Sequence, residues 1–316
     1  MKHDSPIAPA TLAAIHAALL AWFAQAGRDL PWRHTRDPYQ IMVAEIMLQQ
    51  TQVDRVIPKY HAFLAAFPTL ADLAAAPTAE VIRMWAGLGY NRRAVNMQRT
   101  ARVVLAEHGG LFPRDLAGLL GLPGIGRYTA GAIACFAFEQ DVGFVDTNIR
   151  RVLQRLLVGP EEYGAARAAE LLALAEAIVP AGRGWHWNQA IMELGALICS
   201  AAAPACWRCP LNEWCRAYAE RRAADAQAFD ITPLARVRKV AERRETPYAG
   251  SNRFYRGRVV AELRGLPAGQ VLPLRVLGGV LKPGFAEDDM DWLLALVAGL
   301  ARDGLLAIEG DAVRLP

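Results

Sequence analysis

Cysteine is scarce in this sequence, with five among 316 residues. No uninterrupted apolar run reads as long enough to span a membrane, so no membrane partner is expected. No secretory leader is expected either. The apolar stretch from Ala10 to Ala24 is interrupted by His16, and its Leu12, Ile15, Leu19, Trp22 and Phe23 follow helical spacing behind a candidate N-cap, Thr11. That pattern predicts an amphipathic helix packed on the body of the protein. It implies a cytoplasmic location (on the nucleoid, in a bacterium), where thiols stay free or bind metal. Sequence repeats are absent, which excludes a solenoid. Alternating strand patterns are absent before about Glu220, which excludes a sheet-based fold for most of the chain.

What is present is a chain 53% hydrophobic with a net charge of +4. It is long enough for two or three domains, each with its own core. The mild positive charge permits an anionic partner without requiring one. Short helical patterns punctuated by Pro31, Pro58, Pro68, Pro77, Gly87, Gly89, Pro113, Pro123 and Pro180 predict a compact all-α globule. The expected division joins 1–29 to 141–222, sets 30–140 apart, leaves 223–250 as a linker and makes 251–316 a small separate domain. In that last part, helical patterns cover Phe254–Leu263, Pro273–Val280 and Met290–Leu305. Leu306–Glu309 and Ala312–Leu315 suggest a two-stranded wing, and together these read as winged-helix-like.

Four cysteines, Cys199, Cys206, Cys209 and Cys215, follow the spacing C-x6-C-x2-C-x5-C. Four thiolates in one short loop can wrap a tetrahedral zinc ion or an iron–sulfur cluster. Zinc loops more often use two C-x2-C knuckles, and only one is present, so the spacing favours iron–sulfur. Cys135, inside the apolar stretch 132–138, reads as a small core residue.

Leu119 to Phe138 reads as a helix, a turn at Leu122-Pro123-Gly124-Ile125-Gly126, and a second helix from about Tyr128. Glycines in that turn let backbone approach another surface, and the helix N-terminus behind them offers N–H groups to a phosphate. This is a helix-hairpin-helix, a grip on the DNA backbone that ignores sequence. Asp146 follows, at the mouth of a helical stripe of Ile149, Val152, Leu153 and Leu156. As an isolated residue it would be read as an ordinary N-cap. Upstream, Asp37-Pro38 starts a helix that is apolar on every face except at Glu45. A carboxyl buried in such a helix tends to keep its proton near neutral pH, which makes Glu45 a candidate general acid. The run Gln49-Gln50-Thr51-Gln52 after it is polar and uncharged, suited to base edges or to filling a gap in a duplex.

These pieces together resemble the MutY adenine DNA glycosylases of the endonuclease III, helix-hairpin-helix superfamily. The matching segments are Leu30-Pro-Trp-Arg33, Glu45-Ile-Met-Leu-Gln-Gln-Thr-Gln-Val53, Gly87-Leu-Gly-Tyr90, the LPGIG turn, Val145-Asp-Thr-Asn148, the stretch 188–196 and the four-cysteine loop. The resemblance implies a two-lobed fold, a six-helix barrel plus an iron–sulfur cluster domain. It further implies a [4Fe-4S] cluster on the four cysteines, and double-stranded DNA with adenine mispaired with 8-oxoguanine or guanine as the partner of a monomeric enzyme. By position, Glu45 would protonate the extruded adenine, and Asp146 would stabilise the cationic sugar, with Tyr128 and Asn148 supporting it. Trp32 would border the base pocket, and Gln50, Leu88 and Tyr90 would fill the space left behind. Arg33, Gln49, Thr51, Leu122, Gly124, Ile125 and Gly126 complete the expected DNA-binding set. Adenine leaves poorly until its ring is protonated, and the sugar then becomes cationic, so an acid and a carboxylate in different surroundings suit the reaction. A strand-cleaving relative would place lysine at position 128. Tyrosine cannot form a Schiff base, so a monofunctional enzyme is expected.

The sequence departs from that family in three places. The residues after Gly250 do not resemble the family's 8-oxoguanine-recognising domain. The loop between Cys199 and Cys206 carries no Lys or Arg, and Asp146-Thr-Asn148 lacks the usual glycine. Two alternatives are a mismatch glycosylase for thymine or uracil opposite guanine and a non-catalytic iron–sulfur DNA-binding protein. Glu45 with its glutamine run argues against the first, and retention of both carboxyls against the second. Finally, Arg236, Arg238, Lys239, Arg243, Arg244, Arg253, Arg256 and Arg258 make a basic run, while Glu287, Asp288, Asp289 and Asp291 lead the last long helix. DNA contact in this part of the chain is therefore expected from the linker and first helix.

Overall fold

The structure is a computed structural model and describes residues 7–161, 165–225 and 248–316. Most of the expected linker, with Arg236, Arg238, Lys239, Arg243 and Arg244, lies outside the described residues. The chain divides into two compact units, one of Met1–Pro38 with Gly126–Ala241 and one of Tyr39–Ile125 with Glu242–Pro316. The last residues thus group with the segment that follows Pro38, whereas the sequence pattern set them apart.

In the first unit, the Pro9–Ala26 helix begins at its proline, so Thr11 lies inside the first turn and does not cap it. With 18 residues and a mean hydropathy of 1.3, this helix is long and apolar enough to cross a membrane by length and composition alone, which the sequence reading had missed. Its inner side is nonetheless engaged in the unit: Ile15 and Leu19 are buried. His16 Nε2 lies 2.8 Å from the Ile178 carbonyl, and its ring meets Trp187 edge-on at 4.8 Å. Burial pushes the His16 pKa down, against the pull of that carbonyl. The Gly184–Leu197 helix packs on Thr147–Leu153 at Gly195, where a Cβ would come within 2.7 Å of the Asn148 Cβ. Glu193 on the same helix is buried and tied to two arginines, Arg28 Nε at 2.7 Å and Arg33 Nη2 at 2.9 Å. The Thr147–Leu153 helix runs on into a π-helical turn, Gln154–Val158, against which Arg216–Asp225 packs.

In the second unit, Pro38–Leu48 starts at its proline as expected, and Tyr39 and Ile41 to Met47 are all buried. Val53–Ala66, Leu70–Ala75, Thr78–Met84, Arg92–His108 and Leu116–Gly121 follow. Buried Gln98 joins three of these segments: its Nε2 donates to the carbonyls of Leu73 (3.0 Å) and Ala76 (2.7 Å), and its Oε1 accepts from Thr78. The C-terminal module contributes Asn252–Gly265, Leu274–Leu281 and Met290–Arg302. Its sheet has three strands where two were expected. Leu272–Pro273 and Ala307–Glu309 flank Ala312–Arg314, all antiparallel, with Val313 opposite both Leu272 and Ile308. The extra strand is two residues long, too short to leave a periodic pattern. The module's apolar core takes in Ile82 and Val95 alongside Val259, Leu277, Leu296 and Val313.

Candidate active site and DNA-facing loops

Asp146 caps the Thr147–Leu153 helix, so the N-cap reading is correct as far as it goes. One carboxylate oxygen accepts the Ile149 N–H at 2.6 Å, and the other accepts from Asn148 Nδ2 at 3.0 Å. Asn148 Oδ1 accepts in turn from Arg151 Nη2 at 2.8 Å. Arg151 also donates to the carbonyls of Gly195 (2.7 Å) and Cys199 (2.6 Å). A relay of polar contacts therefore runs from Asp146 to the first cysteine of the loop. Burial pushes the Asp146 pKa up, and the bonds from Ile149 and Asn148 and the charge of Arg151 only partly oppose it. Tyr128, half-buried on the Arg127–Phe136 helix, meets Phe144 edge-on at 5.5 Å. The same unit holds Trp32, buried in the Pro31–Arg33 turn.

Glu45 belongs to the other unit and is 3% exposed. Its helix ends in the glutamine run, where exposed Gln50 takes a positive φ of 55°. The Gly87–Tyr90 loop is likewise strained, with Tyr90 at φ 45° and the residue 48% exposed. Non-glycine residues held at positive φ need surrounding structure to fix them. Arg93 supplies it. Its guanidinium donates to five carbonyls, Ile46 (2.6 Å), Met47 (3.3 Å), Gln49 (2.6 Å), Leu88 (3.0 Å) and Gly89 (3.2 Å). It thereby joins the C-terminal end of the Glu45 helix to both strained loops. Burial pulls its pKa down to about 10.

In the hairpin, Leu122 and Ile125 are buried, so they anchor the turn and leave the glycines outermost. Gly124 sits at φ 77°, and a Cβ there would meet the Asn96 Cβ at 2.7 Å. A Cβ on Gly126, which caps the Arg127–Phe136 helix, would meet nothing within 4 Å. The backbone at Gly126 is therefore open to approach.

The four loop cysteines line one small cavity of about 30 Å³, together with Arg155 and Arg221. Burial pushes the Cys206 and Cys215 thiols up, and Cys209 to about 12, with the neighbouring thiols adding to the shift. Arg155 Nη1 lies 3.5 Å from Cys199 Sγ and donates to the Ser200 carbonyl at 2.7 Å. Among the described residues, no three His, Cys, Asp or Glu side chains close around a single metal ion. Cys135 is buried, and Asn188 Nδ2 lies 3.3 Å from its sulfur, as befits a core thiol.

Residues 43–175 match the model of the HhH-GPD superfamily base excision DNA repair proteins. An adenine DNA glycosylase of Mycolicibacterium smegmatis is 42% identical, over 78% of this chain and 79% of its own length. The chain belongs to the adenine DNA glycosylases. The Homo sapiens adenine DNA glycosylase is 44% identical over 66% of this chain, which spans only 40% of that longer protein. Among solved structures, that of a thermostable thymine-DNA glycosylase aligns with a TM-score of 0.62 and 33% identity, covering 67% of this chain and 98% of its own. The fold is thus the mostly helical one expected for the family.

Several expected site residues of this glycosylase are placed differently from the sequence reading. Arg33 was expected at DNA, but its side chain is 7% exposed and occupied by Glu193, by Gln189 Oε1 (2.8 Å) and by the Arg28 carbonyl. It is internal because these three partners take up its donors. Leu88, expected to fill a gap in the duplex, is 6% exposed, whereas Gln50 and Tyr90 of the same expected group are open. Arg256 and Arg258, expected to face phosphate, are engaged within the module. Arg256 pairs with Asp303, and Arg258 donates to the carbonyls of Val280 (2.8 Å) and Leu281 (3.2 Å). Two of the four acids leading the last helix also have partners: Glu287 pairs with Arg275 and Asp289 with Lys282. Arg93, Arg151 and Glu193 were missed. Arg93 and Arg151 lie between matched motifs and Glu193 inside the matched stretch 188–196, and only the carbonyls and charged groups they meet in the fold mark them out.

Proposed function

We propose that this glycosylase hydrolyses the N-glycosidic bond of adenine mispaired with 8-oxoguanine or guanine in duplex DNA, as a monomer, and leaves the strand intact. The observation that carries the reading is Asp146. It is a carboxylate fixed by the Ile149 N–H and Asn148, in surroundings dry enough to push its pKa up. A carboxylate that water does not fully satisfy is well suited to offset positive charge developing on a sugar. In this reading Glu45 supplies the proton to the leaving base, and Asn148 and Tyr128 keep Asp146 in place. Gln49, Gln50 and Thr51 with Tyr90 meet the opened duplex, and the backbone at Gly124 and Gly126 holds phosphate. Tyr128 stands where a nucleophilic amine would have to be, so no covalent intermediate forms there.

A [4Fe-4S] cluster fits the four-cysteine loop. The partly buried thiols of Cys206, Cys209 and Cys215, pushed up by burial and by the neighbouring thiols, would be stabilised as thiolates by an iron core, and Arg155 and Arg221 beside them offset excess negative charge. Cys199, Cys206, Cys209 and Cys215 would each hold one iron. The cluster would lend rigidity to a loop that is tied, through Arg151, to Asp146.

The test is a panel of duplexes containing A:8-oxoG, A:G, T:G and U:G, assayed for alkali-labile abasic sites. Adenine should be released and the strands should stay whole until alkali is added. Asp146→Asn and Glu45→Gln should each lower single-turnover release by about 10²- to 10³-fold while duplex binding persists. Preferential release of thymine or uracil would replace this reading with the pyrimidine one, which the likeness to a thymine-DNA glycosylase structure keeps in the panel. Efficient trapping of a covalent complex with borohydride would refute the assignment at Tyr128.

A further inference from the structure

The exposed Tyr90 sits in the middle of an alternating stack of rings and cations. Trp85, fully buried, lies at one end, with its Nε1 donating to the Gly89 carbonyl at 3.0 Å. The Arg93 guanidinium is 5.3 Å from the Trp85 ring centroid and 5.6 Å from that of Tyr90. Beyond Tyr90, the Arg253 guanidinium stands 5.9 Å from the Tyr90 centroid and 5.0 Å from that of Tyr248. Arg253 Nη1 also donates to the Tyr90 hydroxyl at 3.1 Å. Arginine over an aromatic face is attractive within about 6 Å, and each layer here falls inside that distance. Arg253 belongs to the C-terminal module, the part of the chain that does not resemble the family's usual recognition domain, and Tyr248 lies just before it. Around the stack lies an open cleft of about 760 Å³, lined by Tyr90, Arg92, Asn96, Tyr248, Arg253 and Arg256 among others.

Of the three module arginines in the basic run, Arg256 and Arg258 are engaged inside the module, and Arg253 alone reaches the Tyr90 loop. We propose that Arg253 is a positioning residue: the C-terminal module braces Tyr90 through it, and so sets how effectively that loop enters a mispaired duplex. The inference rests on the reading of Tyr90 as a residue that meets the opened duplex. Tyr90 has a strained backbone and a half-exposed ring, so by itself it would relax to other conformations. Arg93 restrains it from the interior and Arg253 from the module. A module with no resemblance to a lesion-reading domain can in this way influence recognition without touching the lesion.

Two measurements test this separately. The first uses the free protein: hydrogen exchange of the backbone amides of residues 87–92 in the parent and in Arg253→Met. Exchange there should quicken about 3- to 10-fold on loss of the ring contacts and the hydrogen bond. Unchanged exchange would overturn the brace, whatever Tyr90 does on DNA. The second uses duplex DNA: single-turnover adenine release by Arg253→Met, Arg253→Lys, Tyr90→Ala and the Arg253→Met/Tyr90→Ala double variant. Arg253→Met should slow release about 3- to 10-fold, and Arg253→Lys should recover at least half of that, because an ammonium can still face the ring and donate to the hydroxyl. The double variant should be no slower than Tyr90→Ala, since Arg253 acts through the ring. Its salt dependence of binding should match that of the parent. Additive losses, or a salt slope reduced by about 0.9, would identify Arg253 as a direct phosphate contact and overturn the proposal. Parent-like release by Tyr90→Ala combined with faster exchange in Arg253→Met would leave the brace standing and remove Tyr90 from duplex recognition.

Discussion

Two partly buried arginines, one in each unit, hold their segments by opposite means. Arg33 stands beside a carboxylate, Glu193, which it shares with Arg28. Arg93 has only neutral carbonyls, five of them, and two aromatic faces. Burial lowers the pKa of both. For Arg33 the charge of Glu193 pulls back against that fall, whereas for Arg93 little does, and its value drops to about 10. The first arrangement depends on charge balance and tolerates small displacements. The second depends on direction, because carbonyl dipoles stabilise a cation only when they point at it. A segment that must merely stay attached, such as residues 28–33, is served by an ion pair. Two strained loops that must keep one shape are served by a guanidinium whose rigid fork fixes several carbonyls at once.

The sharpest break of this comparison is Glu193→Gln, which leaves two arginines without their counter-charge. Removing one partner of a buried ion pair should cost about 3 kcal/mol, read from the midpoint of urea unfolding. A loss below about 1 kcal/mol would mean that the pair is compensated elsewhere. Next comes Arg93→Lys. An ammonium has three donors and cannot reach all five carbonyls, so about 2 kcal/mol should be lost to unsatisfied buried oxygens. Arg33→Lys should cost about 1 kcal/mol, since a point charge still answers Glu193. If the two lysine variants are equally stable, the distinction between charge and direction fails. Adenine release should also fall further in Arg93→Lys than in Arg33→Lys.

The smallest effect is on acid stability, where two carboxyls of the same unit should differ in sign. Burial would raise the Glu193 pKa, but Arg28 and Arg33 more than reverse this, and it lies below its usual 4.5. Its stabilisation is therefore complete above about pH 4.5 and disappears as pH falls through the folded value. The Asp146 pKa lies above its usual 3.8 because burial outweighs its hydrogen bonds. Holding Asp146 charged therefore costs the folded state at neutral pH, and that cost disappears as pH falls through the raised value. Asp146→Asn, which keeps a good cap, should be at least as stable as the parent at pH 7, while Glu193→Gln should be less stable. Thermal melts of both variants from pH 7 to pH 4 check this. An Asp146→Asn protein less stable than the parent at pH 7 would show that the carboxylate's hydrogen bonds outweigh the cost of burying its charge.

Much of this was legible in the sequence. The helix starting at Pro38, the apolar surroundings of Glu45, the turn around Gly124 and the position of Asp146 at a helix mouth follow from local rules of spacing, capping and glycine conformation. The four cysteines were legible because rare residues at short spacing stay close in any fold. The start of the first helix was misplaced by three residues, with the cap at Ala8 and not Thr11, because Pro at the first position competes with Thr at the cap and the sequence alone does not rank them. The third strand was missed because Leu272–Pro273 exists only by pairing with Ala312 and Val313.

The sequence by itself determined the helical architecture, the hairpin, the cysteine loop and the two carboxyls, since each is encoded within a few consecutive residues. Tertiary structure alone decided which arginines are structural and which stand near the loops. Arg33 acquires Glu193 from 160 residues away, and Arg253 reaches Tyr90 from 163 residues away. A guanidinium looks the same in any sequence window. Its role depends on which carboxylates, carbonyls and rings the fold places within about 3 to 6 Å of it, and contacts over that range are set by packing.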